Sequence, residues 1–237
     1  MQEDLITSIQ NELKRHIDEE TAKSGERFFK EPVKIYGVKT PIVNRIARTY
    51  FLQIRHLDKQ QIFSLCEQLL KSDYCEDAFI AFDWSYKLHD KYQPEDMETF
   101  ESWLNNYVNN WAKCDTLCNH TIGSFIMKYP EYIARLKQWA GLENRWVKRA
   151  AAVTLVLPAR RGGFLNDIFQ IADILLLDKD DLVQKGYGWM LKEASRQHQQ
   201  EVLDYVIQHK KEMPRTALRY AIEKMPSELR QQAMSKD

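Results

Sequence analysis

The residues of this sequence best suited to chemistry are one carboxylate, two indoles and one guanidinium. Trp111-Ala-Lys-Cys-Asp115 sets an indole four residues before an acid. Residues four apart share one face of a helix. Arg145-Trp-Val-Lys148-Arg149 and Gln184-Lys185-Gly-Tyr-Gly-Trp189 repeat that geometry, with Arg145 above Arg149 and Lys185 above Trp189. A carboxylate held beside electron-rich ring faces stabilises a developing positive charge. Arginine and lysine close by suit the phosphates that would carry such a substrate. Asp115 is therefore the candidate for chemistry, Trp111, Trp189 and Arg149 the candidate floor of a nucleic-acid cleft, and Lys185, Arg145 and Lys148 further candidate contacts to a nucleic acid.

Helices must position these groups. Leu5, Ile6, Ile9, Leu13 and Ile17 predict an amphipathic helix over 4–22, broken at Ser24-Gly25. In Gly37-Val-Lys-Thr40-Pro41, Gly37 ends one element, Thr40 is placed to cap the next, and Pro41 suits a first helical position. The helix from Pro41 carries Ile42, Val43, Ile46, Tyr50 and Phe51 on one side and Arg45, Arg48 and Arg55 on the other. From about residue 59 the chain reads as helical pairs. First helices start near Gln60, Glu95, Glu131, Gly163 and Gln199, and second helices near Asp73, Asn110, Asn144, Asp180 and Pro214. The cap residues Asp73, Asn110, Asn144 and Asp180 stand 37, 34 and 36 residues apart. Asn and Asp cap helices because the side-chain oxygen accepts an orphan backbone N–H. Helix pairs at this period predict an all-α fold, an α-solenoid of HEAT-like antiparallel helix pairs. Its second helices would line a concave cleft, made basic by Arg145, Lys148, Arg149, Arg160, Arg161, Lys185, Lys192 and Arg196 with few acids interleaved.

Counting from the caps aligns Asp115, Arg149 and Lys185, and it aligns the core-type sets Val147, Ala150, Ala151, Thr154 and Val183, Gly186, Tyr187, Met190. The first of these repeats fits less well, because it puts Lys113 at a core position. A two-residue slip would place Lys113 beside Arg149 in place of Asp115, and spacing alone leaves both registers open. Each residue also has a plainer role. Trp111 and Trp189 suit a core, Asp115 a solvated surface, Arg149 a staple between repeats, and His120 a half-buried polar position.

Formal charge sums to zero, with 34 basic and 34 acidic residues, so any polyanion site must be a local concentration of cations. Cys66, Cys75, Cys114 and Cys118 form no C-x-x-C pair, which argues against a zinc site or a disulfide framework and for reduced thiols in a cytoplasmic protein. The acidic start lacks an apolar leader core, and no apolar run nears the ~20 residues of a membrane span.

With these motifs in view, the sequence resembles the AlkD-type bacterial DNA glycosylases, the HEAT-like DNA alkylation repair enzymes. The resemblance rests on Trp111-x-x-x-Asp115, Trp146-Val-Lys-Arg149-Ala-Ala, Gln184-Lys185-Gly-Tyr-Gly-Trp189-Met-Leu-Lys-Glu193 and the turn Gly37-Val-Lys-Thr-Pro41, in the family's order, over roughly residues 5–225. It implies a single HEAT-like domain over 1–237 acting on double-stranded DNA; the sequence carries no oligomer signal, and a monomer is the default expectation. The implied reaction is hydrolysis of the N-glycosidic bond of cationic N3- or N7-alkylated purines, with no metal or organic cofactor. By motif match Asp115 takes the catalytic aspartate's place, Trp111 and Trp189 those of the tryptophans on the lesion's deoxyribose, and Arg149 that of the cleft arginine. The chain departs from the pattern at Phe28, where some members carry tyrosine, at Ala112, and at Lys39, which stands in the turn as a further candidate DNA contact. Two other functions fit the same scaffold: a binder of damaged or branched DNA that does not cut, and a protein-interaction scaffold with no salt-dependent DNA affinity.

Overall fold

The structure, a computed structural model, describes residues 2–235. Met1, the first residue of the acidic start, and the last two residues of the 1–237 span lie outside the described residues. The chain is all-α. Among the described residues the only β-type pairing is an isolated parallel bridge between Lys34 and Tyr74. No described helix is long and apolar enough to cross a membrane. The chain divides into two compact units, Met1–Leu117 and Cys118–Asp237.

The first unit holds α1 (Gln2–Arg15), α2 (Glu19–Arg27), α3 (Thr40–Ile54), α4 (Lys59–Leu70), α5 (Cys75–Tyr86), α6 (Asp96–Tyr107) and α7 (Trp111–Thr116). Helix α4 packs on α5 and on α6, and α5 packs on α3 and α7. Like helices thus stack on like, as in other stacked helix-pair proteins. The core is aromatic: Phe63, Phe82, Trp84, Tyr92, Phe100 and Trp103 are buried. Trp84 satisfies its indole N–H by donating to the Ala47 carbonyl at 2.8 Å, which ties α5 to α3.

The predicted helix over 4–22 is two helices. The break falls at His16–Asp18, where Asp18 accepts the Thr21 N–H at 2.7 Å and starts α2, rather than at Ser24-Gly25. Gly25 lies inside α2, where its missing side chain admits Ile35; a Cβ there would stand 2.8 Å from Ile35 Cδ1. Thr40 is the first residue of α3 rather than its cap, and Lys39 occupies the cap position. The turn before it is held from below by buried Glu76. One oxygen accepts the N–H groups of Gly37 (2.8 Å) and Val38 (3.1 Å), and the other that of Tyr36 (3.0 Å). Gly37 has φ of 83° and lies against Ala22, whose Cβ would be 2.5 Å from any added side-chain carbon.

Asp73 is likewise not a cap. Tyr74 occupies the cap position of α5 without a side-chain hydrogen bond, and Asp73 sits in the left-handed region at φ of 67°, a conformation that aspartate tolerates better than most residues. Its carboxylate turns instead toward the next repeat, where it accepts Lys113 Nζ at 2.7 Å and Asn109 Nδ2 at 2.7 Å.

The second unit holds α8 (Gly123–Lys128), α9 (Ile133–Ala140), α10 (Arg145–Val153), α11 (Val156–Arg160), α12 (Leu165–Leu175), α13 (Asp181–Ala194), α14 (Gln199–His209), α15 (Arg215–Ala221) and α16 (Ser227–Met234). Second helices stack in series, α10 on α13 and α13 on α15, while α9 packs on α12. The core positions aligned from sequence are buried in both repeats: Val147, Ala150 and Ala151 in α10 with Thr154 at its C-terminal cap, and Val183, Gly186, Tyr187 and Met190 in α13. Asn144 and Asp180 cap as predicted, accepting the N–H groups of Trp146 (2.9 Å) and Leu182 (2.8 Å). The Gly-Tyr-Gly step of α13 is a packing device. A Cβ at Gly188 would lie 2.7 Å from Tyr220 Cβ and 2.8 Å from the Ala217 carbonyl, so glycine sets how closely α13 approaches α15.

Candidate functional site

In the first unit the candidate residues sit on α7, a helix of six residues. Asn110 caps it, its side chain accepting the Lys113 N–H at 3.0 Å. Lys113 settles the register within this unit. It is 1% exposed, and its ammonium donates to Asp73 Oδ1 (2.7 Å), the Asp73 carbonyl (2.9 Å) and Asn109 Oδ1 (3.1 Å). All three ammonium protons are thereby used inside the fold, which is what a buried lysine requires. The core position that looked wrong for a lysine is an anchor between α7 and the previous repeat.

With Lys113 turned inward, Trp111 and Asp115 share another face of α7, and both are half-buried. The Trp111 indole stacks on Phe29, ring centroids 5.3 Å apart and planes 25° from parallel. The ring beside Trp111 is therefore that of Phe29, while Phe28 points to solvent at 71% exposure. Sequence spacing gave no signal for Phe29, because the pairing is long-range. After Thr116 the helix loosens into a π-helical segment over Leu117–Ile122, which carries exposed His120. Such π-helical segments are frequent next to functional residues. Lys39 lies 3.4 Å from the Asp18 carboxylate, whose pKa hydrogen bonds from Thr21 and the charge of Lys39 hold below the usual range.

In the second unit α10 and α13 carry the rest. Arg149 is buried at 5% exposure, and its Nη1 donates to the Leu182 carbonyl in the first turn of α13. Gly186 makes room for it: a Cβ there would stand 3.3 Å from Arg149 Cγ. Arg149 thus ties α10 to α13, the staple that the sequence left open. Trp189 is half-buried and donates its indole N–H to Glu193 Oε1 at 3.3 Å. Glu193 is buried, and its other oxygen accepts Arg160 Nε at 2.7 Å and Arg196 Nε at 2.6 Å.

Six of the eight cations expected to make the cleft basic meet a carboxylate. Arg145 meets Asp180 through Nε (2.7 Å) and Nη2 (3.1 Å), and its guanidinium lies 4.9 Å from the centroid of the Trp146 ring. Lys148 meets Asp178 at 2.7 Å, Lys185 meets Asp181 at 3.1 Å, and Lys192 meets Glu223 at 3.0 Å. Asp180 caps α13 and Asp178 precedes it, and folding brings both onto cations of α10, whereas Asp181 meets Lys185 one turn along α13 itself. Any phosphate reaching Arg145, Lys148 or Lys185 must compete with a carboxylate already in place.

The four cysteines are buried and unpaired with one another. Among the described residues no cluster of three or more His, Cys, Asp or Glu side chains is placed to hold a metal ion.

The family described as DNA alkylation repair enzyme matches residues 9–225. A search of curated proteins finds no match. Among solved structures, a protein from Enterococcus faecalis described as a predicted DNA alkylation repair enzyme superposes with a TM-score of 0.78 at 16% identity, covering 88% of this chain and 96% of that one. The Pseudomonas fluorescens alkylpurine DNA glycosylase AlkC, bound to DNA containing an abasic site analog, superposes at 0.54 and 16% identity, over 98% of this chain and 66% of that one. At that identity the two structures share the fold of this chain, an all-α, solenoid-like one. With the family matched over nearly the whole sequence, the chain belongs to the DNA alkylation repair enzymes.

Proposed function

We propose that this protein is a monofunctional DNA glycosylase that hydrolyses the N-glycosidic bond of cationic N3- and N7-alkylated purines in duplex DNA. The observation that carries the reading is the position of Asp115 on α7, and the family match supports it. Lys113 is pinned inward, and the carboxylate is left half-buried on the face of α7 that also holds the Phe29-stacked indole of Trp111.

An alkylated purine of this kind already carries positive charge, so it departs as a neutral base without a strong general acid. The bond from the sugar's C1′ to the base nitrogen breaks, and its electron pair leaves with the base. Water then adds to C1′ and releases a proton, which gives free base and an abasic sugar. Positive charge develops on the sugar, and Asp115 is proposed to face it and to orient the water. A unit charge ~4 Å away at an effective dielectric of ~20 contributes about 4 kcal/mol. Spread over a partly formed charge, this corresponds to roughly 10²–10³ in rate. The indoles of Trp111 and Trp189 are proposed to pack on the same sugar, adding cation–π attraction and excluding solvent. Arg149, Lys185, Arg145, Lys148 and Lys39 are proposed to serve the DNA backbone, each at the cost of an existing contact. In this reading the whole chain works as one domain and as a monomer, in the cytoplasm where DNA is accessible.

The test is direct. The protein is incubated with a duplex carrying one N7-methylguanine, and free base and alkali-labile abasic sites are measured. Release of the modified base, with unmodified duplex left intact, is expected. Binding without release would instead favour a damaged-DNA binder.

A further inference from the structure

Among the described residues Glu193 is the one buried carboxylate of the second unit's core, and nothing in the reaction above uses it. It lies one turn after Trp189 on α13, on the same helix face. Its two oxygens are divided between different partners. Oε2 takes both arginines, Arg160 at the end of α11 and Arg196 just beyond α13, while Oε1 takes the Trp189 indole N–H. Trp84, by contrast, satisfies its indole N–H with the neutral Ala47 carbonyl. Burying an anion for the purpose is costly unless cations offset it, and the two arginines do so. Burial pushes the Glu193 carboxyl up, but the hydrogen bonds and charges of Arg160 and Arg196 outweigh it and hold the group below the usual carboxylate range. The group facing the indole edge is thus an anion at neutral pH.

We infer that Glu193 is a positioning residue for Trp189: through the indole N–H it fixes the ring's orientation and makes the ring face more electron-rich toward the cationic sugar. This rests on the glycosylase reading for its chemistry, though not for its geometry. An indole whose N–H is bonded to an anion carries more electron density on its faces, and cation–π attraction scales with that density. A staple between α11 and α13 alone would need only the arginines. The indole contact is what ties the network to the proposed site.

The test is a cycle of four full-length proteins: wild type, Glu193→Gln, Trp189→Phe and the double variant, with Glu193→Ala and Arg160→Gln alongside. Glutamine keeps the shape and one acceptor oxygen but removes the charge, and Arg160 and Arg196 are exposed enough to be solvated without it. Three quantities are read: the Trp189 indole ¹H–¹⁵N resonance, identified by its loss in Trp189→Phe; the single-turnover rate on N7-methylguanine duplex; and the affinity for duplex with and without an abasic analogue. Glu193→Gln is expected to move the indole resonance upfield and slow the single turnover about 10-fold, with affinity for unmodified duplex within about 2-fold. In the Trp189→Phe background the same change is expected to add no further slowing. Arg160→Gln should act in the same direction and more weakly. An unmoved indole resonance, or equal slowing with and without Trp189, overturns the inference. If the wild type releases no base, the glycosylase reading fails by itself. The inference is then judged on the resonance and on abasic-duplex affinity: weakening by Glu193→Gln only when Trp189 is present upholds it, and no weakening overturns it.

Discussion

Replacing Lys113 by methionine removes one charge and keeps a chain of similar length, so it isolates what the buried ammonium contributes. The lysine is 1% exposed and makes three hydrogen bonds, two of them to Asp73. Breaking a fully buried ion pair costs about 3–5 kcal/mol, most of it from stranding the surviving charge. Here the survivor is not stranded, because the Asp73 side chain is 38% exposed and Lys34 stands 3.6 Å away. The methionine stem also retains the apolar packing. The expected loss is therefore smaller, about 1–3 kcal/mol, the range for charge-assisted hydrogen bonds. For a chain of this size that lowers Tm by about 2–4 °C per kcal/mol, read by calorimetry or by the urea midpoint.

The pH dependence gives a second signature. Burial pushes the Asp73 carboxyl up, but the hydrogen bond and charge of Lys113 outweigh it, so the folded pKa lies below the reference of 3.8. A group depressed on folding adds stability that is complete above its unfolded pKa and is lost as pH falls through the folded one. The wild-type advantage over Lys113→Met should thus be constant at neutral pH and shrink below about pH 3.8. The variant should also excise more slowly, since α7 has only six residues and Asp115 lies two positions from the lost anchor. An unchanged midpoint with an unchanged acid limb would refute this account of the register.

Three further outcomes are expected. Gly188→Ala forces a carbon against Tyr220 and the Ala217 backbone, so it should destabilise by about 1–3 kcal/mol in urea melts while the chemical step in the surviving native protein is little changed. Arg149→Ala removes a buried tie between α10 and α13 and should cost about 2–5 kcal/mol in the same assay, with weaker duplex binding and a salt slope flatter by about one. Lys185→Gln leaves Asp181 without its cation on a half-exposed helix face, so stability should change by less than about 1 kcal/mol. If Lys185 contacts a phosphate, its salt slope should also flatten by about one, measured by anisotropy across a salt series.

The sequence disclosed the helix pairs because their signals are local: an Asn or Asp cap and apolar residues at helical spacing. The caps at Asn110, Asn144 and Asp180 and the buried positions of α10 and α13 follow from those signals. Asp73 carries the same local signal and is not a cap, because its carboxylate is taken by Lys113 forty residues later. The break between α1 and α2 was misplaced for a related reason. Gly25 is present for the approach of Ile35, which local composition does not reveal. The neutralised cations of the second unit were illegible in the same way. Asp178 and Asp180 look like helix-start acids in sequence, and only folding sets them against Lys148 and Arg145, whereas the Asp181–Lys185 pair is a local four-residue one. Of the candidate site, the shared face of Trp111 and Asp115 was legible from a four-residue spacing. The Phe29 stack and the Glu193 carboxylate at Trp189 were not, since the one depends on distant segments and the other on which way a side chain turns.

The central claim is that the negative charge of Asp115 drives bond cleavage. Its most direct test compares single-turnover release of N7-methylguanine by wild type and by Asp115→Asn, at saturating protein and matched duplex occupancy. Loss of the charge is expected to slow release by about 10²–10³ while leaving duplex affinity within a few-fold. Release by Asp115→Asn at the wild-type rate would contradict the claim.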